Sequence, residues 1–248
     1  MLVDPYKRPV NYLRVSVTDR CDFRCQYCMA ENMTFLPKKD LLSLEEIERI
    51  CTTFINLGTK KIRITGGEPL VRKNVMGLFK NLGSFINNKK LNELTLTTNG
   101  SQLEKYADEL YEYGVRRVNV SIDTLKPELF KELTRRGDLD KVLRGIDAAQ
   151  KAGLKIKINT VALKDSNEHE LTDILSWAHS KDCDITFIET MPLGEIDVDR
   201  TEQFLPLSKV KENFSKKFTL LDSKYYTGGP SRYFEVAETR KKVGFITP

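Results

Sequence analysis

The sequence predicts an α/β protein with a mostly parallel sheet, and three observations carry that prediction. Strand-like and helix-like stretches alternate with a period of about 30 residues, the size of one βα unit. Most of the strand candidates are apolar on alternate residues only. Glycines stand where a left-handed residue would stop a helix, at Gly58, Gly114 and Gly153. At 248 residues the chain falls within the length that a barrel reaches undivided.

The first strand, over residues 12–17, sets Leu13, Val15 and Val17 against Arg14, Ser16 and Thr18. A helix opens at Ser43, with Glu46 where a capping box requires it. Leu44, Ile47, Ile50, Cys51, Phe54 and Leu57 then recur at helical spacing. The second strand, 61–65, alternates Ile62 and Ile64 with Arg63 and Thr65, and a helix over 75–87 follows. A third strand over 93–97 precedes a helix over 104–113. The fourth strand, 117–122, alternates Val118, Val120 and Ile122 with Asn119, Ser121 and Asp123, ahead of a helix over 139–152. The fifth, 155–161, alternates Ile156 and Ile158 with Lys157 and Asn159. A helix over 168–180 leads to a sixth strand over 184–189.

Past Met191 the repeat stops. A loop over 192–206 and a helix over 207–218 come first. Strands over 219–221, 233–236 and 243–246 then surround a Gly228-Gly229-Pro230 turn. The expected division is a barrel over residues 1–192 and a C-terminal extension over 193–248.

Six right-handed crossovers wound one way give a curved, partly open barrel; periodicity alone leaves a doubly wound sheet equally open. The strand faces add a constraint. Parallel strands are normally buried on both faces and read as continuous apolar runs. A polar face here means that the sheet encloses something polar. Arg14, Arg63 and Lys157 would point into that space, and unpaired buried cations are costly. An anionic ligand accounts for them; the competing account is internal salt bridges with Glu68, Asp123 or Glu189.

The formal charge is +5, with Lys and Arg scattered among Asp and Glu. That pattern does not call for nucleic acid. No run of about 18 apolar residues suggests a membrane span, and the first residues lack the apolar core of a signal peptide. A reducing cytoplasm is expected, where thiols stay free for metal. Cys51 and Cys183 are expected to be buried small hydrophobes, and His169 and His179 surface helix residues without a catalytic role.

Cys21, Cys25 and Cys28 read C-x-x-x-C-x-x-C within eight residues. Iron–sulfur clusters are held by thiolates at close, fixed spacing. Three thiolates on a four-iron cluster leave one iron open, as a catalytic metal site requires. A zinc site or three unrelated thiols would also use cysteines. Zinc sites, however, usually pair two C-x-x-C or C/H units, and no second unit is present. One βα unit later stands Gly66-Gly67-Glu68-Pro69. Its glycines let the backbone approach a ligand closely, and the Glu68 carboxylate could meet a ligand amino group. Loops at the carboxyl ends of parallel strands are where barrels do chemistry.

Together these motifs resemble the radical S-adenosylmethionine (SAM) superfamily, and within it the molybdenum cofactor biosynthesis family of GTP 3′,8-cyclases. Residues 13–21, the cysteine motif with Met29, and residues 62–70 carry the resemblance. So do Thr97-Thr98-Asn99-Gly100, residues 119–124, 157–161 and 188–194, all in family order. The resemblance implies a partial (β/α)6 barrel of the radical SAM type with a C-terminal α+β tail. It also implies a [4Fe–4S] cluster on Cys21, Cys25 and Cys28, and cleavage of SAM to a 5′-deoxyadenosyl radical. Conversion of GTP to 3′,8-cyclo-7,8-dihydro-GTP, an early step toward molybdopterin, would follow. By the same resemblance Tyr27, Gly67, Ser121 and Met191 contact SAM, with Gly66 and Glu68 nearby. Arg14, Arg63, Thr97 and Lys157 contact GTP, in agreement with the strand-face argument. The partners implied are an electron donor and, downstream, cyclic pyranopterin monophosphate synthase. A homodimer is allowed for; neither membrane nor nucleic acid is expected.

The family carries a second [4Fe–4S] cluster on three further cysteines in a C-terminal stretch, and none of them is present by Pro248. The expectation is a truncated piece of a longer enzyme, since the match holds to the last residue. Such a piece should bind SAM but fix guanine poorly and show little cyclase activity. The competing readings are a single-cluster radical SAM enzyme acting on another nucleotide or a peptide, and a non-catalytic iron–sulfur or zinc protein.

Overall fold

The structure, a computed structural model, describes residues 2–191, 196 and 200–247. All six expected βα strands form: β1 (Tyr12–Ser16), β2 (Lys61–Thr65), β3 (Glu93–Thr98), β4 (Arg117–Ser121), β5 (Lys155–Ala162) and β6 (Asp184–Glu189). The helices are α1 (Leu44–Asn56), α2 (Val75–Asn87), α3 (Leu103–Glu112), α4 (Pro127–Thr134), α5 (Leu139–Lys151), α6 (Leu171–Ser180), α7 (Arg200–Gln203) and α8 (Leu207–Ser215). Strands β7 (Leu220–Asp222), β8 (Arg232–Val236) and β9 (Lys241–Ile246) close the order.

The chain divides into two compact units. The first comprises Met1–Asp22, Thr34–Asn119 and Lys141–Lys155; the second comprises Phe23–Met33, Val120–Asp140 and Ile156–Pro248.

In the first unit β1 pairs parallel with β2, and β2 with β3, with Leu13 opposite Ile62 and Ile62 opposite Leu94. Ile62, Ile64, Leu94 and Leu96 are buried on one face, where α2 packs on β3 and α1 on α2. The capping box of α1 is complete: Glu46 N–H donates to Ser43 Oγ over 3.1 Å, and Ser43 N–H donates to Glu46 Oε2 over 2.7 Å. Its buried stripe is Ile47, Cys51 and Ile55, whereas Ile50 stays 39% exposed. Gly58 (φ 111°) follows in the left-handed region, as a helix stop requires.

In the second unit β5 and β6 are parallel, β9 adds parallel to β6, and β8 and β7 follow antiparallel. The C-terminal strands therefore continue the sheet edge rather than forming a separate layer. Phe187 of β6, Phe214 of α8 and Phe245 of β9 lie 4.9–6.3 Å apart by ring centroid and pin the extension down. Such aromatic clusters stabilise beyond the area that they bury.

Three expectations need correction. Residues 200–203 of the expected 192–206 loop form the short helix α7; 192–195 and 197–199 lie outside the described residues. His179 is buried, not on the surface: it follows Ala178 on the inner face of α6, and its Nδ1 lies 2.8 Å from Thr239 Oγ1. Burial holds its pKa below 6.5. Helix α4 was not expected at all. Cys51 and Cys183 are fully buried, and burial pushes their thiols up to about 11 and about 12, as structural cysteines should be.

Candidate active site

In the first unit the loop after β1 runs through Thr18, Asp19 and Arg20 to Cys21. The Gly66–Glu68 turn clasps it: Gly67 N–H donates to Thr18 O over 2.7 Å, and Glu68 N–H donates to Arg20 O over 2.8 Å. A Cβ at Gly66 would lie 2.6 Å from Thr18 O, and one at Gly67 2.4 Å from Arg20 O. The backbone that these glycines admit is therefore the cysteine loop itself.

Glu68 is fully buried. Its carboxylate accepts from Leu70 N–H (2.9 Å), Thr98 Oγ1 (2.8 Å) and Asn99 N–H (2.6 Å). Burial outweighs these donors and pushes its pKa up to about 7. Glu68 thus ties the end of β2 to the end of β3. Asn99 extends the link: its Nδ2 donates to Asp22 Oδ1 over 2.7 Å and lies 3.7 Å from Cys21 Sγ. Ser101 Oγ donates to the other Asp22 oxygen over 2.6 Å. Asp22 and Asn99 went unassigned at the sequence level, although both sit inside the quoted motifs.

The polar face of β1–β3 carries Arg14 directly opposite Arg63. Glu93 pairs with Lys61 over 2.8 Å and with Arg117 over 2.5 Å. Arg63 stacks 5.5 Å from the Tyr12 ring, and its Nε is buried without a hydrogen-bond acceptor. Burial lowers its pKa. Among the described residues of this face, the cations Arg14, Lys61, Arg63 and Arg117 thus stand with the carboxylate of Glu93. Glu68, Asp123 and Glu189, the internal counter-ions considered above, are each engaged by other partners. Glu68 is bonded as above, Asp123 is held by Tyr27 and Val161, and Glu189 Oε2 caps Leu207 N–H over 2.9 Å. Thr97 Oγ1 lies 3.4 Å from Asn119 Nδ2 on the same face.

In the second unit Cys25 and Cys28 share one turn, in which the N–H groups of Cys28 and Met29 both donate to Cys25 O, over 2.9 and 3.1 Å. Helix α4 anchors this segment: Arg24 N–H donates to Thr134 O and Gln26 N–H to Leu133 O, each over 2.9 Å. Phe23 packs edge-on against Phe130 at 5.9 Å. Cys28 is exposed and Cys25 partly so. Tyr27, Cys28 and Met191 line one cleft of about 330 Å³ with Val161, Ile188 and Glu189. Three of the expected site residues are thereby brought together. Ser121 closes β4, half-buried. Lys157 is buried elsewhere in this unit, its ammonium bonded to the Tyr233 hydroxyl and 4.8 Å from that ring. Tyr233, from the C-terminal hairpin, had not been picked out.

Residues 15–178 match the radical SAM superfamily, and residues 183–248 match the Molybdenum Cofactor Synthesis C family. The GTP 3′,8-cyclase of Rhizobium leguminosarum bv. trifolii is 64% identical over 247 residues, spanning 100% of this chain and 71% of that protein. The chain belongs to the GTP 3′,8-cyclase family. The Brucella ovis GTP 3′,8-cyclase is 61% identical over the same length, covering 72% of that protein. Among solved structures, SuiB of Streptococcus suis bound to S-adenosylmethionine aligns with a TM-score of 0.67 at 18% identity, over 96% of this chain and 47% of that one. Native anSMEcpe with bound AdoMet aligns with a TM-score of 0.66 at 21% identity, over 85% and 60%. At such identities the likeness is one of fold: the α/β, mostly parallel sheet of the radical SAM enzymes. The resemblance read from the motifs of this GTP 3′,8-cyclase family member holds across the whole chain.

Proposed function

We propose that this chain is a radical SAM GTP 3′,8-cyclase that converts GTP to 3′,8-cyclo-7,8-dihydro-GTP for molybdopterin synthesis. The observation that carries the substrate is the cationic face of β1–β3, where Arg63 Nε is buried and still lacks an acceptor. A triphosphate supplies the acceptors and the charge that this face lacks, and arginine is well matched to phosphate. Arg14, Arg63, Thr97 and Lys157 bind GTP in this reading. The donor chemistry also fits a [4Fe–4S] cluster: Cys21, Cys25 and Cys28 offer three thiols at close, fixed spacing, Cys28 exposed and the other two partly so. The cluster and SAM, when bound, supply the reductive chemistry that starts hydrogen abstraction. Tyr27, Gly66, Gly67, Ser121 and Met191 position SAM in this reading, and Glu68, its buried carboxylate held by Leu70, Thr98 and Asn99, acts by bracing the turn. Val161 and Ile188 give the Met191 cleft apolar walls against which a cofactor can pack. Residues 1–192 serve as the barrel and 193–248 as its extension. An electron donor acts before this step, and cyclic pyranopterin monophosphate synthase acts after it.

The test is anaerobic reconstitution with iron and sulfide, followed by titration with SAM and then GTP. SAM should perturb the cluster's spectrum, and GTP should bind at least about tenfold more weakly to Arg63→Ala while the SAM response persists. A spectrum indifferent to SAM, or GTP binding indifferent to Arg63, would refute the assignment.

A further inference from the structure

In the second unit Lys157 of β5 and Tyr233 of β8 meet although β6 and β9 lie between them. The register explains how. Asn159 pairs with Thr186 of β6, Thr186 with Gly244 of β9, and Gly244 with Tyr233. Residues paired across a ladder share a face, and Lys157, two before Asn159, shares it too. From β5 to β8 is three strand spacings, roughly 14 Å, which a lysine and a tyrosine laid toward each other bridge between them.

The path is kept low. A Cβ on Gly244 would lie 2.8 Å from Tyr233 Cε1 and 2.4 Å from Ser231 Oγ. The ring therefore lies over bare backbone, a close approach that glycine allows. Lys157 Nζ donates to the Tyr233 hydroxyl, which lies 3.1 Å from Thr227 Oγ1. The Tyr225 ring meets the Tyr233 ring edge-on at 5.0 Å. Tyr233 and Lys157 are 4% and 7% exposed. Burial alone would raise the Tyr233 pKa; the Lys157 ammonium outweighs it and holds it below 10. A carboxylate would fix a buried ammonium and cancel its charge, whereas a phenol fixes it and leaves the charge for an anion. Thr186 Oγ1, fully buried on the same face, has no hydrogen-bond partner. Such an atom costs stability until an incoming group completes it.

We propose that Tyr233 is a positioning residue for the triphosphate: its hydroxyl holds the Lys157 ammonium where a phosphate oxygen meets it, and Gly244 leaves the room that this requires. The inference rests on the proposed function, in which Lys157 binds GTP, and gives the C-terminal hairpin a part in that binding.

Titration calorimetry on the reconstituted chain tests this, with GTP and inorganic tripolyphosphate as probes. Tyr233→Phe keeps the ring and loses only the hydroxyl. It should weaken both probes at least about fivefold, with the SAM-induced spectral change as in wild type. In a Lys157→Met background the same substitution should weaken them less than about twofold, because nothing is left to position. Thr227→Val removes only the hydroxyl's other partner. It should weaken both probes about twofold, again only while Lys157 is present, and it answers the question should Tyr233→Phe fail to fold. Wild-type affinity in both variants, or losses that persist in full without Lys157, overturns the assignment. A chain that binds tripolyphosphate in this Tyr233-dependent way while its spectrum ignores SAM keeps the assignment and loses the cyclase reading. A wild type that binds neither probe loses both.

Discussion

The Tyr27 hydroxyl donates to Asp123 Oδ2 over 2.6 Å, while Val161 N–H holds the other carboxylate oxygen at 2.8 Å. One buried aspartate therefore sets the ring that lines the cleft with Cys28 and Met191. Burial pushes its pKa up to about 6, so it is ionised at neutral pH and accepts both bonds. Asp123→Asn offers a single acceptor oxygen to two donors. SAM should then bind about tenfold more weakly in a spectral titration, the size expected for losing one charged hydrogen bond. Affinity equal to wild type would mean that Tyr27 needs no such support.

Glu68 gives a pH signature. Its folded-state pKa of about 7 lies above the ordinary 4.5. The folded state therefore keeps a proton that the unfolded state has lost, and stability falls as pH rises from about 4.5 to about 7. Full expression of that difference is roughly 3 kcal/mol. Urea midpoints of the wild type should decline across this window. Glu68→Gln should remove Glu68's share of the slope and, with an amide donor facing Asn99 N–H or Thr98, lower stability by about 1–3 kcal/mol.

Two glycines should respond in opposite ways. Gly67→Ala drives a methyl to 2.4 Å from Arg20 O, against backbone that cannot yield. It should destabilise by about 1–3 kcal/mol and impair iron loading. Gly77, in α2, has nothing within 4 Å of the same methyl. Gly77→Ala should stabilise by about 0.5–1 kcal/mol in thermal or urea melts. Equal effects at both sites would refute the clasp.

The cysteines divide in the same manner. Alanine at Cys21, Cys25 or Cys28 should sharply reduce the iron retained after anaerobic reconstitution. Alanine at buried Cys51 or Cys183 should leave iron content unchanged while lowering the melting temperature. Iron assay and the visible spectrum distinguish these outcomes. A strong chelator should bleach the wild type without unfolding it, if the pinned loops hold without metal.

The six βα strands were legible because alternation at period two marks a strand wherever one face is buried. Ile62 and Ile64 against Arg63 show this most plainly. Helix α4 was missed although Pro127 at its first turn and Leu129, Phe130 and Leu133 gave a signal; its eight residues fell between two stronger patterns. His179 was misjudged because histidine tolerates either environment, yet its place four residues after Leu175 put it on the buried stripe. The motifs identified the Gly66–Glu68 turn but not its purpose. That Gly67 meets Arg20 O, or that Asp123 meets Tyr27, depends on pairing between segments far apart in sequence. Tyr233 against Lys157 is of the same kind, since no local pattern links residues 76 apart.

The β9–β8–β7 ribbon also bears on solubility. Without it, β6 would present Ile185, Thr186 and Phe187 at an open, apolar edge able to pair with another chain. The ribbon moves that edge outward to β7, three residues long and ending in Asp222. Such a short, charged border is a poor template for intermolecular strand addition. Removing the hairpin should therefore show itself first as aggregation, before any question of catalysis arises.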